Sequence, residues 1–82
     1  MVITFDTKTQ AAYIRLKEGA VRHTKEILPE VFVDFGVGRR LLGIELISPC
    51  TITLRKVARQ LKLPVLNRIT RPLEDLCNKA TK

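Results

Sequence analysis

Up to residue 47 apolar residues tend to alternate with polar ones, and beyond Ser48-Pro49 they return every three or four positions. The first regime predicts strands and the second predicts helix. Val2-Ile-Thr-Phe5 forms a first strand, with Ile3 and Phe5 on one face. Asp6-Thr-Lys-Thr-Gln10 supplies a turn, in which the Asp6 carboxylate can accept bonds from backbone amides ahead of it. Ala12, Ile14 and Leu16 alternate with Tyr13, Arg15 and Lys17 in a second strand, and Lys17-Glu18-Gly19 reads as a tight turn. The stretch from Val21 to Leu28 is more polar and fits a strand with one wet face at a sheet edge. Pro29-Glu30 breaks the run. Val31 to Phe35 forms a fourth strand, Gly36-Val-Gly38-Arg39 a hairpin turn, and Leu41 to Ile47 a fifth strand.

That fifth strand reads as apolar on both faces, with Leu42, Ile44 and Leu46 on one and Leu41 and Ile47 on the other. A strand of that kind needs cover on both sides. Helix covers one face, and a second copy of the chain is the simplest cover for the other. The pattern therefore predicts a homodimer or higher oligomer.

After Ser48-Pro49, Thr53 is the expected helix N-cap, and Leu54, Val57, Ala58 and Leu61 form one apolar stripe. Pro64 ends this helix at about Leu63. A second, shorter helix is expected to start near Pro72, with Glu74 and Asp75 in its first turn, Lys79 near its end, and Leu73, Leu76, Cys77 and Ala80 on its apolar side. The predicted fold class is α+β: a five-stranded antiparallel β-meander with one or two C-terminal helices packed on one face. It forms a single domain over residues 1–82, with the meander in 1–48 and a basic helical segment in 49–82.

Composition narrows the classes. The chain has 82 residues, of which 45% are hydrophobic and 28% charged, the balance of one folded domain with an aliphatic core. Its net charge of +7 is uneven: residues 1–50 hold seven Lys/Arg against six Asp/Glu, and residues 51–82 hold eight against two. An electrostatic partner meets the C-terminal third first. No secretory leader and no membrane-length apolar run is evident. Cys50 and Cys77 have no close-spaced partners for a disulfide framework or zinc, which fits reduced thiols in a cytoplasmic protein.

Phe5-Asp6, Ala12-Tyr13-Ile14-Arg15-Leu16, Val31-Phe32-Val33-Asp34 and Arg40-Leu41-Leu42-Gly43-Ile44-Glu45-Leu46 follow one another in an order and spacing that resemble a small bacterial family, domain of unknown function 2283. Its typical runs are Tyr-Asp-x-x-x-Asp-Ala-x-Tyr-Ile and, later, Gly-x-Leu-x-Gly-Ile-Glu. The likeness covers roughly residues 1–48. Phe5 stands in place of the family's tyrosine, and Thr7-Lys8-Thr9-Gln10 lacks its usual acids. The resemblance implies a compact antiparallel sheet, with Asp6 as a turn former, Tyr13 and Ile14 as sheet residues and Gly43 as a point of close approach. It implies no reaction. Because members resemble genomic companions of small toxin-like proteins, it also implies an antitoxin-like or partner-binding role.

Candidate chemistry is sparse. His23 has neither nucleophile nor orienting group among its neighbours and reads as a strand surface residue. Asp34, Glu45 and Asp6 could approach one another across strands, but solvated charges explain them as well as a cation site does. Gly36-x-Gly38 before Arg39-Arg40 lacks the Gly-Lys-Ser/Thr ending and the following helix of a phosphate loop. The best binding candidates are Arg55, Lys56, Arg59 and Lys62 on the helix, with Arg68 and Arg71 beyond it. Such an array suits nucleic-acid phosphates or an acidic protein. The region offers no aromatic side chain for base stacking. The sequence thus leads to a non-enzymatic protein-binding and oligomerisation module without cofactor or metal, and in the second place to a nucleic-acid-binding protein that uses its basic helix for backbone contacts.

Overall fold

A computed structural model of the chain describes residues 1–6, 8–47, 51–73 and 75. Strands β1 (Val2–Asp6), β2 (Ala11–Arg15), β3 (His23–Leu28), β4 (Val31–Phe35) and β5 (Leu41–Ile47) form one sheet. Helix α1 (Thr51–Leu61) and a 3-10 helix (Pro64–Ile69) follow, and residues 70–73 are helical again. The antiparallel α+β class is the one the alternation predicts.

The order of the strands differs from a simple meander. It runs β1-β2-β5-β4-β3, and each neighbouring pair is antiparallel. β2 therefore pairs with β5, not with β3. Lys17-Glu18-Gly19 is accordingly no hairpin turn but part of a connection that carries the chain to the far edge, and Gly19 within it takes φ +152°. The hairpins between β1 and β2, β3 and β4, and β4 and β5 stand as read. Lys8 N–H donates to Asp6 Oδ1 at 2.9 Å in the first, and Gly38, at φ 67°, turns the third.

β5 departs from strict alternation at its start. Leu16 and Lys17 N–H both donate to the Leu42 carbonyl, at 2.8 and 3.1 Å, and the β4–β5 register shifts between Asp34 and Phe35. This bulge pairs Leu41 with Phe35, and both side chains pack on the core. Leu42 tucks against Gly19 and Gly36 at the end of the sheet. Behind them the face away from the helices carries buried Gly43, exposed Glu45 and half-buried Ile47. The two-sided apolar strand read from the sequence is thus corrected: one extra residue turns Leu41 to the core face, and Leu42 is covered at the end of the sheet.

The core lies between the other face of the sheet and the C-terminal segment. Ala12, Ile14, Val31, Val33, Ile44 and Leu46 meet Leu54, Val57, Ala58, Leu66, Ile69 and Leu73. α1 begins at Thr51, so Thr53 lies within the helix and not at its N-cap, and its side chain is outside the described residues. The helix ends in a Schellman turn. Lys62 takes the left-handed conformation at φ 56°, its N–H donates to the Arg59 carbonyl at 3.3 Å, and Leu63 N–H donates to that of Ala58 at 2.8 Å. Pro64 then opens the 3-10 helix, so helical structure resumes earlier than the expected start near Pro72. Ser48, Pro49, Cys50, Glu74, Leu76, Cys77, Lys79 and Ala80 lie outside the described residues.

Ile44 is wholly buried on the central strand. Ile44→Ala is expected to lower stability by about 2–5 kcal/mol in urea unfolding, whereas Val37→Ala, at a side chain 71% exposed, should stay within about 0.5 kcal/mol of the parent.

Candidate functional site

The candidate cations gather on the surface of α1 and the segment after it. The apolar stripe of α1 faces the sheet, which obliges Arg55, Lys56 and Arg59 to face water. Lys62, Arg68 and Arg71 are exposed as well. Among the described residues the ion pair is Arg15 with Glu18 at 3.8 Å, and none of these six cations has an acidic partner. Where α1 turns back along the 3-10 helix, an open groove of about 490 Å³ forms, lined by Arg55, Ala58, Arg59, Pro64, Asn67 and Thr70. Arg55 and Arg59 come together there, and Lys56, Lys62, Arg68 and Arg71 lie outside its lining. Asn67 and Thr70, which the sequence reading did not single out, add an amide and a hydroxyl donor. Two guanidinia one helical turn apart and two neutral donors across a groove are suited to an anion with several oxygens.

A second polar cluster sits on the outer face of the sheet. Tyr13 on β2 stands opposite Glu45, and Asp34 on β4 stands opposite Gly43. The Tyr13 ring crosses the central strand above Gly43, where any Cβ would overlap it. Its hydroxyl then donates to Asp34 Oδ2 at 2.8 Å. Thr24 Oγ1 on β3 donates to Asp34 Oδ1 at 2.6 Å, so one carboxylate ties β4 to β3 beside it and to β2 across β5. This gives a physical reason for Gly43 as a point of close approach. The Tyr13–Asp34 pair escaped sequence reading because it joins strands that are not direct neighbours.

Tyr13 is pushed up from 10.0 to about 12, first by burial, then by its bond to Asp34 and the charge of that carboxylate, with a smaller push from Glu45. The Arg15 guanidinium, 5.8 Å from the ring centre, acts the other way. A phenol held protonated so firmly is no base near neutral pH, and both Asp34 oxygens are already engaged. The cluster acts as a clamp.

The remaining candidates stay apart. His23 is exposed at the β3 edge and stacks on Phe35 with ring centres 5.0 Å apart. Asp6 lies at the opposite edge, on β1. Glu45 lies diagonal to Asp34, and among the described residues no group of three or more His, Cys, Asp or Glu is placed to hold a metal ion. No helix among the described residues is long and apolar enough to cross a membrane.

Two measurements test the clamp. Gly43→Ala forces the Tyr13 ring off Asp34 and should cost about 1–3 kcal/mol in chemical unfolding. Tyr13 binds its proton more tightly folded than unfolded, so its contribution is fully present below pH 10 and is lost as pH rises through about 12. Absorbance titration at 295 nm should place its ionisation near 12 in the parent, and Asp34→Asn should move it part of the way back toward 10.0.

Neither the curated proteins nor the solved structures contain a match to this chain. The family described as protein of unknown function DUF2283 matches residues 2–48. That span runs from the first residue of β1 to just past the last of β5, takes in Tyr13, Asp34 and Gly43, and stops short of the basic groove. By this match over more than half its length, the chain belongs to the DUF2283 family of proteins of unknown function.

Proposed function

We propose that the chain is a non-enzymatic binding module that holds the phosphate backbone of a nucleic acid against its C-terminal basic surface. The observation that carries this reading is the set of six exposed cations, Arg55, Lys56, Arg59, Lys62, Arg68 and Arg71, without an acidic partner among the described residues. Displacing counterions from phosphates is the interaction that such an array favours. Asn67 and Thr70 add neutral donors of the kind that commonly reach phosphate oxygens.

The protein-partner reading drew on an outer sheet face rich in apolar side chains. That face presents exposed Glu45 and the Tyr13–Asp34–Thr24 clamp beside half-buried Phe32 and Ile47, so polar groups interrupt the apolar surface on which that reading drew. An antitoxin-like encounter with an acidic protein would draw on the same cations and is the competing outcome. Contacts to phosphates alone read no sequence, so this binding is broad in its choice of sequence. In this reading the protein works in the cytoplasm, where nucleic acid is at hand and its two cysteines stay reduced.

Fluorescence anisotropy with a labelled duplex tests the proposal. Binding is expected at about 50 mM salt and should weaken steeply by about 200 mM, equally for unrelated sequences. Arg55→Ala with Arg59→Ala should lower affinity and flatten the plot of log K against log salt by about 1.8. No binding at the lower salt, or a double variant that binds like the parent, overturns it.

A further inference from the structure

The two edges of the sheet are built differently. β3 is guarded: Lys25 and Glu26 are exposed along it, its register shifts between Glu26 and Leu28, and Pro29 closes its end. Each of these discourages another strand from adding there. β1 carries none of them. It pairs with β2 without a register shift from Val2 to Asp6, and its sequence, Val-Ile-Thr-Phe-Asp, holds no proline or lysine and only one acid, at its end. Among the described residues its other side is the open border of the sheet. Val2 is 57% exposed and Met1 just before it 54%, and Ile3 and Phe5 extend the apolar core face to that border half-buried.

We infer that β1 pairs with β1 of a second copy of this chain, antiparallel and centred on Ile3, and so joins two sheets into one. At that register Ile3 meets the partner's Ile3 and Phe5 meets the partner's Met1, which carries the apolar layer across the seam. On the outer face Val2 meets the partner's Thr4, a pair of β-branched residues. Asp6 faces no residue of the partner's β1. A pairing centred on Thr4 would instead set Asp6 against Val2. Main-chain bonds supply the attraction and the alternating side chains supply the register, as in strand addition generally. The seam is short, below the area of a standard stable interface, so it dissociates readily and depends on concentration. The inference does not rest on the nucleic-acid reading, since β1 shares no residue with the basic groove.

Sedimentation equilibrium from about 10 µM to 1 mM tests it, with dimer expected in the upper part of that range. Val2 and Thr4 are both exposed, so charged side chains there leave the core untouched. Val2→Lys with Thr4→Lys sets lysine against lysine twice across the seam and should weaken dimerisation by at least about tenfold. Val2→Lys with Thr4→Glu sets lysine against glutamate twice and should hold it within about threefold of the parent. A parent that stays monomeric throughout, a double-lysine variant that dimerises like the parent, or a lysine–glutamate variant as weak as the double-lysine one each overturns the inference.

Discussion

The structure depends on β5 being paired on both sides at once. It receives β2 along one border and β4 along the other, and its side chains serve two different layers. Ile44 and Leu46 join the aliphatic core beneath α1. Gly43, between Arg15 and Asp34 in the ladders, leaves room on the opposite face for the Tyr13 ring. An aliphatic residue at 43 would exclude that ring, and a polar one at 44 would be buried without a partner. The sequence Leu-Leu-Gly-Ile-Glu-Leu-Ile meets both demands within seven positions. A tyrosine laid over a glycine of the next strand is a known way to restore packing where a side chain is missing.

Most of the elements were legible because alternation and helical spacing are local signals. The wet edge strand around Lys25, the turn at Asp6 and the apolar stripe of α1 all follow from short windows of sequence. The strand order was not legible, because a period of two says which face a residue takes and nothing about which strand lies beside it. The bulge at the start of β5 was hidden for a related reason. Two adjacent leucines fit either face, and only the hydrogen bonds to the Leu42 carbonyl decide between them. The cap of α1 was missed because Lys62 stands where glycine is the usual signal. Of the groove, Arg55 and Arg59 were visible as a stripe, whereas Asn67 and Thr70 reach it only through the reversal of the chain at Leu63 and Pro64.

The molecule divides its chemistry along the same line as its sequence. The sheet, which the family match spans, ties Asp34 into the clamp with Tyr13 and Thr24 and leaves its other charges dispersed. Among its described residues the segment after it buries Leu54, Val57, Ala58, Leu66, Ile69 and Leu73 and turns its cations out. Arg55 and Arg59 sit on a helix whose other side is wholly buried at Leu54 and Val57, so their backbone is held by the core. Charges mounted in this way keep their side-chain freedom while their backbone is fixed.

The strand order also bears on how the chain acquires its shape. β1 with β2, and β3 with β4 and β5, are each closed by brief loops and can form from neighbours in sequence. The β2–β5 ladder joins positions such as Ala11 and Ile47, so it must wait for the whole intervening stretch to be drawn in. Closing that distance carries the largest loop entropy in the sheet, and topology of this kind sets folding speed. Two locally assembled halves meeting along one late seam is the route that this connectivity favours.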